Sequence, residues 1–231
     1  MHIEPGIVNG VKIALSYATA AGAGWYSFKL TLQSLNSAGI ASFASRCVLA
    51  MAATFTFFQV LPHFPVGVSE VHFILGSTLF LLFGVAPAAF GLAAGLLLQG
   101  LLFAPADLPQ YFINTTTLLV PLFAVSALAK RVIAPNTAYA DLSYLQALKL
   151  STTYQAGVVA WVAFWAFYGQ GFGTETLASV TSFGLAYMLV IIIEPLVDLA
   201  VLAGTKTIRS LEKNRICAGT RLLLGLNFSL T

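Results

Sequence analysis

Long apolar runs recur between Val8 and Leu202, separated by short stretches of Pro, Gly and polar residues. Most are near the ~20 residues an α-helix needs to cross the hydrocarbon core of a bilayer. Hydrophobic residues make up 58% of the 231 and charged residues 8%, against about a quarter charged in soluble domains. Too few charges remain to coat a water-facing surface, so the solvent has to be lipid. The chain is therefore expected to be an all-α, polytopic transmembrane helical bundle of about seven spans.

The runs cover residues 8–28, 41–61, a shorter 71–85, 86–103, 115–133, 145–168 and 177–202. If the third and fourth form one hairpin, the count falls to six. Pro62, Pro65 and Gly67 break the second from the third, and Gly84 and Pro87 the third from the fourth. Small residues such as Ala18, Ala21, Gly22, Gly91 and Gly95 sit inside the runs, where they let helix backbones approach closely. Residues 1–204 read as one transmembrane domain and residues 205–231 as a basic cytoplasmic tail.

Charge gives an orientation. Lys29, Lys130, Arg131, Lys206, Arg209, Lys213, Arg215 and Arg221 fall at one set of ends, and Glu4, Glu70, Asp107 and Glu175 at the other. The positive-inside rule places the N-terminus outside and the C-terminus in the cytoplasm of a multi-pass cell-membrane protein. The net charge of +3 comes with no basic patch of interleaved aromatics, which argues against nucleic acid. Cys47 and Cys217 are far apart and lack the spacing of a thiolate site. A cleavable signal sequence is not expected, because Met1-His2-Ile3-Glu4 lacks a basic leader region. Met1 is expected to keep a free amine.

Three histidines are present: His2, His63 and His72, all on the outer side of this topology. His63, in Leu61-Pro62-His63-Phe64-Pro65, reads as an ordinary interfacial residue. His2 differs. The Met1 amine, the His2 backbone nitrogen and the His2 imidazole can bind one metal in two fused rings. Such planar nitrogen ligation suits Ni²⁺ and Cu²⁺, and Co²⁺ with a different geometry. One in-plane position stays open, and His72, just after the loop Val66-Gly67-Val68-Ser69-Glu70, is a fourth-ligand candidate. A polar group so near hydrocarbon is usually functional.

These residues carry a resemblance. Met1-His2-Ile3-Glu4-Pro5-Gly6 resembles the start of CbiM/NikM-type proteins, the substrate-binding membrane components of energy-coupling-factor transporters for cobalt and nickel. Phe64-Pro65-Val66-Gly67-Val68-Ser69 followed by His72 and Gly76 is similar to a second stretch of that family, and Leu98-Gln99-Gly100 followed by Asn114 to a third. The resemblance implies metal held by Met1, His2 and His72, with Ser69 and Asn114 close by, holding the ligands or the N-terminal loop. That loop would be folded into the bundle. It also implies a coupling transmembrane subunit and cytoplasmic ATPase subunits as partners, with a small accessory membrane subunit in some assemblies. No cofactor is expected, since Ni²⁺ or Co²⁺ is the transported ligand. Nothing fits the phosphate-binding pattern G-x-x-x-x-G-K-[ST], so the chain is expected to be a transporter subunit without its own ATPase.

Four charges inside the runs stay outside this scheme: Lys12, Arg46, Glu194 and Asp198. Glu194 and Asp198 share a helix face. Structural pairing with Lys12 or Arg46 is the preferred reading. An ion path is the other, and it would make the chain an ion-coupled secondary transporter. An intramembrane hydrolase built on Ser69 and His72 ranks last, because no third orienting group is evident.

Overall fold

The computed structural model describes residues 3–135 and 137–226, and their side chains except those of 38, 191 and 212–226. Among the described residues, α1 (Ala14–Ala38) is followed across Gly39 by α2 (Ile40–Gln59). A β-hairpin, β1 (Phe64–Val66) and β2 (Ser69–Val71), leads into the short α3 (Gly76–Phe83). Then follow α4 (Val85–Leu102), α5 (Tyr111–Val132), α6 (Tyr144–Gln170) and the long α7 (Thr174–Leu226). The chain is an all-α membrane bundle. Helices α2, α4, α5 and α7 are both long and apolar enough to cross a bilayer.

Lipid-facing positions stay apolar: Trp25 is 72% exposed and Ile40 77%. Inside the bundle, small residues bring backbones together, since lipid offers no hydrophobic drive for helices to associate. A Cβ on Gly91 would lie 2.5 Å from the Ala50 Cβ, and one on Gly95 would lie 2.7 Å from that of Thr54. Helices α2 and α4 therefore touch along a seam that larger residues would separate. The main core gathers Phe58, Leu92, Leu118, Tyr154, Val158 and Tyr187 from α2 and α4 to α7.

Two expected boundaries moved. The first helix lies farther along the chain, so Lys29 falls within α1 instead of at its end. The third apolar run is not one helix. Its helical part has eight residues, about 12 Å of rise, too little to cross alone. The rest is a hairpin and a non-helical strap, residues 72–75. Gly67, with φ +61, turns the hairpin against α7, where its Cβ would lie 2.2 Å from the Ser179 carbonyl oxygen. Seven residues on, the Ile74 N–H meets the Glu194 side chain. Seven extended residues reach at most about 23 Å, and the fifteen helical residues from Ser179 to Glu194 rise about 22 Å. The strap thus runs beside α7 deep into the bundle before α3 begins. Irregular backbone at such depth is tolerated only where protein covers it, and His72, Ile74 and Leu75 are all buried.

Candidate metal site

The first described residues dock as an added strand. Ile3 forms an antiparallel bridge with Ser69 on β2, and the Glu4 N–H donates to the Val68 carbonyl at 3.0 Å. The Ile3 N–H donates to Asn114 Oδ1 on α5 at 2.8 Å. Apolar packing fixes the same segment: Ile3 and Val8 are buried against Ile113 and Trp165. Gln110 Nε2 donates to the Val8 carbonyl at 3.2 Å. Gly169 near the end of α6 lets the segment pass, because a Cβ there would lie 2.1 Å from the Ile7 carbonyl oxygen. Lys12 donates to the Gly169 carbonyl at 2.7 Å. The segment just after His2 is therefore built into the protein.

His72 follows β2 and is 1% exposed. Two rings pack on its imidazole. The Phe58 ring at the end of α2 is 4.9 Å away, tilted 32°. The His63 ring is 4.7 Å away and 6° from parallel. Glu70 Oε2 lies 3.5 Å from His72 Nε2. Met1 and His2 lie outside the described residues. Of the other site candidates, Ser69 and Asn114 both contact Ile3, and His72 lies three residues beyond Ser69 on the same chain segment. Among the described residues, no three His, Cys, Asp or Glu side chains cluster as a metal cage.

This end of the bundle is acidic. Burial, and then the charges of Glu70 and Asp107, hold the Glu4 carboxyl above the usual carboxylate range. Carboxylates that feel one another make a local negative potential, which raises the local concentration of cations.

The expected ion pairs of the buried acids are not formed. Lys12 binds the Gly169 carbonyl. Arg46 donates to the carbonyls of Ser42 and Phe83, at 3.1 and 3.2 Å. Glu194 instead receives the Ile74 N–H on one carboxylate oxygen and the Leu75 N–H, at 3.1 Å, on the other. Gln155 Nε2 donates to the second oxygen as well, and Gln155 Oε1 accepts from the Tyr187 hydroxyl at 2.8 Å. Asp198 accepts from the Ser77 hydroxyl at 2.5 Å and from that of Thr78. Unpaired strap N–H groups in lipid would cost several kcal/mol each, and acceptors from α7 meet that need.

Sequence reasoning missed the His63–His72 stack and the Glu194–strap contact. Two signals were available. Fifteen residues, 71–85, make only about 22 Å of helix, which marks a run with some non-helical backbone. An acid pair within a span calls for donors, and backbone N–H groups qualify as well as lysines do.

Among protein families, the chain matches CbiM, described as a cobalt uptake substrate-specific transmembrane region, over residues 2–211. Curated proteins and solved structures give no significant match.

Proposed function

This chain belongs to the CbiM family of cobalt uptake substrate-specific transmembrane regions, and from that premise we propose that it is the substrate-binding membrane component of an energy-coupling-factor transporter for Co²⁺ or Ni²⁺. The ion is held by the Met1 amine, the His2 backbone nitrogen, the His2 imidazole and the His72 imidazole. A coupling membrane subunit and cytoplasmic ATPase subunits supply the energy. They meet the bundle at its basic end, and residues 205–231 form a basic tail on that side. Cobalt or nickel enters from the acidic end, which faces outward under the positive-inside rule.

One observation carries the reading: the antiparallel bridge between Ile3 and Ser69. It fixes the chain one residue after His2 against the strand that leads into His72. Asn114 adds a buried hydrogen bond to the same residue, and groups that orient ligands in this way are part of a metal site.

The ligand set fixes the test. Protein purified with an unmodified N-terminus should bind Co²⁺ or Ni²⁺ at about one ion per chain. Extending the N-terminus with a tag consumes the amine and should abolish binding, and His2→Ala should do the same. Binding should weaken as pH falls, because amine and imidazole must lose protons to coordinate. Full cobalt and nickel uptake by the His2→Ala protein would overturn the proposal.

A further inference from the structure

Glu194 is buried on α7 and its carboxylate is engaged on both oxygens. The groups it holds are the N–H of Ile74 and that of Leu75, two and three residues after His72. Leu75 is the one non-glycine residue with positive φ among the described residues, at 51°. A left-handed residue with a side chain is sterically disfavoured and persists where surrounding contacts over-determine it. The two hydrogen bonds to Glu194 supply that constraint. Gln155 and Tyr187 hold the carboxylate in turn, and Asp198, one turn along α7, fixes Ser77 and Thr78 at the start of α3. The strap is thus pinned just after His72, while the His63 ring stacks on the imidazole itself and the Phe58 ring packs on it at a tilt.

We infer that Glu194 is a positioning residue for the metal site: by gripping the backbone at Ile74 and Leu75 it sets the depth and angle at which His72 presents its imidazole to the cation. This rests on the proposed role of His72 and adds the element that orders it. Glu194 acts through the two peptide groups that it holds. Partners that orient metal ligands are typically worth about tenfold to a hundredfold in metal affinity.

The test compares Co²⁺ and Ni²⁺ binding to the purified full chain, native at its N-terminus, in four forms: wild type, Glu194→Gln, His72→Ala and the double variant. Glutamine keeps one acceptor and loses the other, so Glu194→Gln is expected to bind about tenfold more weakly or worse, with a shifted ligand-field absorption band. In the His72→Ala background the three nitrogens of Met1 and His2 remain to bind metal measurably. There the Glu194→Gln change should have no further effect on affinity, because residues that act through one another are non-additive. A purely structural role for Glu194 would lower affinity equally in both backgrounds and leave the absorption band unchanged, and that result overturns the inference. Should Glu194→Gln fail to fold, Tyr187→Phe takes its place. It removes the hydroxyl that orients Gln155, and a smaller loss in the same direction is expected; unchanged affinity and an unchanged band there overturn the inference. Wild-type protein that binds neither ion would sink the metal site as a whole. A wild type weakened by His72→Ala but indifferent to Glu194→Gln would sink the positioning role alone.

Discussion

The imidazole of His63 lies flat on that of His72, with ring centroids 4.7 Å apart and planes 6° from parallel. His63 comes from the turn before β1, so the stack ties the hairpin's entry to its exit. The stack covers a face of the His72 ring, whereas a nitrogen coordinates at the edge. His63 then acts by packing. His63→Phe should keep cobalt or nickel affinity close to wild type. His63→Ala should weaken it a few-fold to about tenfold, the equivalent of roughly 0.5–1.5 kcal/mol for a ring pair. Titration calorimetry on both variants decides between packing and ligation: a ligand histidine would fail equally as Phe and as Ala.

Asn114 offers its carbonyl oxygen to the Ile3 N–H at a buried position. Asn114→Ala leaves that N–H orphaned, which typically costs about 1–3 kcal/mol. The Ile3–Ser69 bridge should open more often, and amide exchange at Ile3 and Glu4 should quicken while the helices keep their protection. Metal affinity should drop in parallel, because the segment after His2 loses its anchor. Hydrogen exchange of the metal-free protein measures the first effect and calorimetry the second. Unchanged exchange at Ile3 would contradict it.

Helix-level organisation was readable from the apolar runs, because lipid forces every backbone polar group to be satisfied within a segment and helices do that locally. The all-α membrane bundle was therefore legible, and the family was legible from the motifs at residues 1–6 and 64–76. The third run was harder. Its partners are α7 acceptors 120 residues away, in Glu194 for Ile74, and hydropathy carries no record of such a contact. Apolar residues in a buried strap read the same as apolar residues in a helix. The pairing of Glu194 and Asp198 with Lys12 or Arg46 failed for a related reason: charge counting sees those two cations but not backbone donors. Ser69 and Asn114 became visible through the family resemblance, since neither residue type marks a site alone. The His63–His72 stack depends on a hairpin that follows from Gly67 and its close approach to Ser179, which only the fold reveals.

Asp141 and Arg209 form an exposed ion pair at 2.6 Å, joining the α5–α6 loop to α7. Its hydrogen bond with Arg209, and then the charges of Arg209 and Lys206, hold the Asp141 carboxyl below its usual value. A carboxylate whose folded pKa is depressed adds stability above the unfolded value and loses it as pH falls through the folded one. The loop should therefore become more susceptible to proteolysis as the solution is acidified below the ordinary aspartate range. Asp141→Asn should show that susceptibility at neutral pH and be flat across the same interval. Raised salt should mimic part of the effect, since exposed pairs are screened. Protease sensitivity of residues 133–143 across pH, in both proteins, checks the sign; a loop that tightens on acidification would refute it.

Gly169 separates bundle stability from site assembly. It sits one residue before the end of α6, where alanine is favoured over glycine by up to about 1 kcal/mol in a helix interior. The same alanine would put its Cβ 2.1 Å from the Ile7 carbonyl oxygen. Backbone oxygen cannot give way as a flexible side-chain tip can, so the N-terminal segment has to move. Gly169→Ala should leave the thermal unfolding of the bundle unchanged or slightly raised. It should nevertheless speed amide exchange at Glu4 and Ile7, whose N–H groups donate to Val68 and Glu4. Because the displaced segment is the one that follows His2, cobalt or nickel affinity should fall by about tenfold or more, the range seen when ligand-orienting groups are lost. Thermal unfolding, hydrogen exchange and metal titration on the one variant separate the two effects. Affinity that stays at the wild-type level while the segment is displaced would show that its docking is not needed to hold the ion.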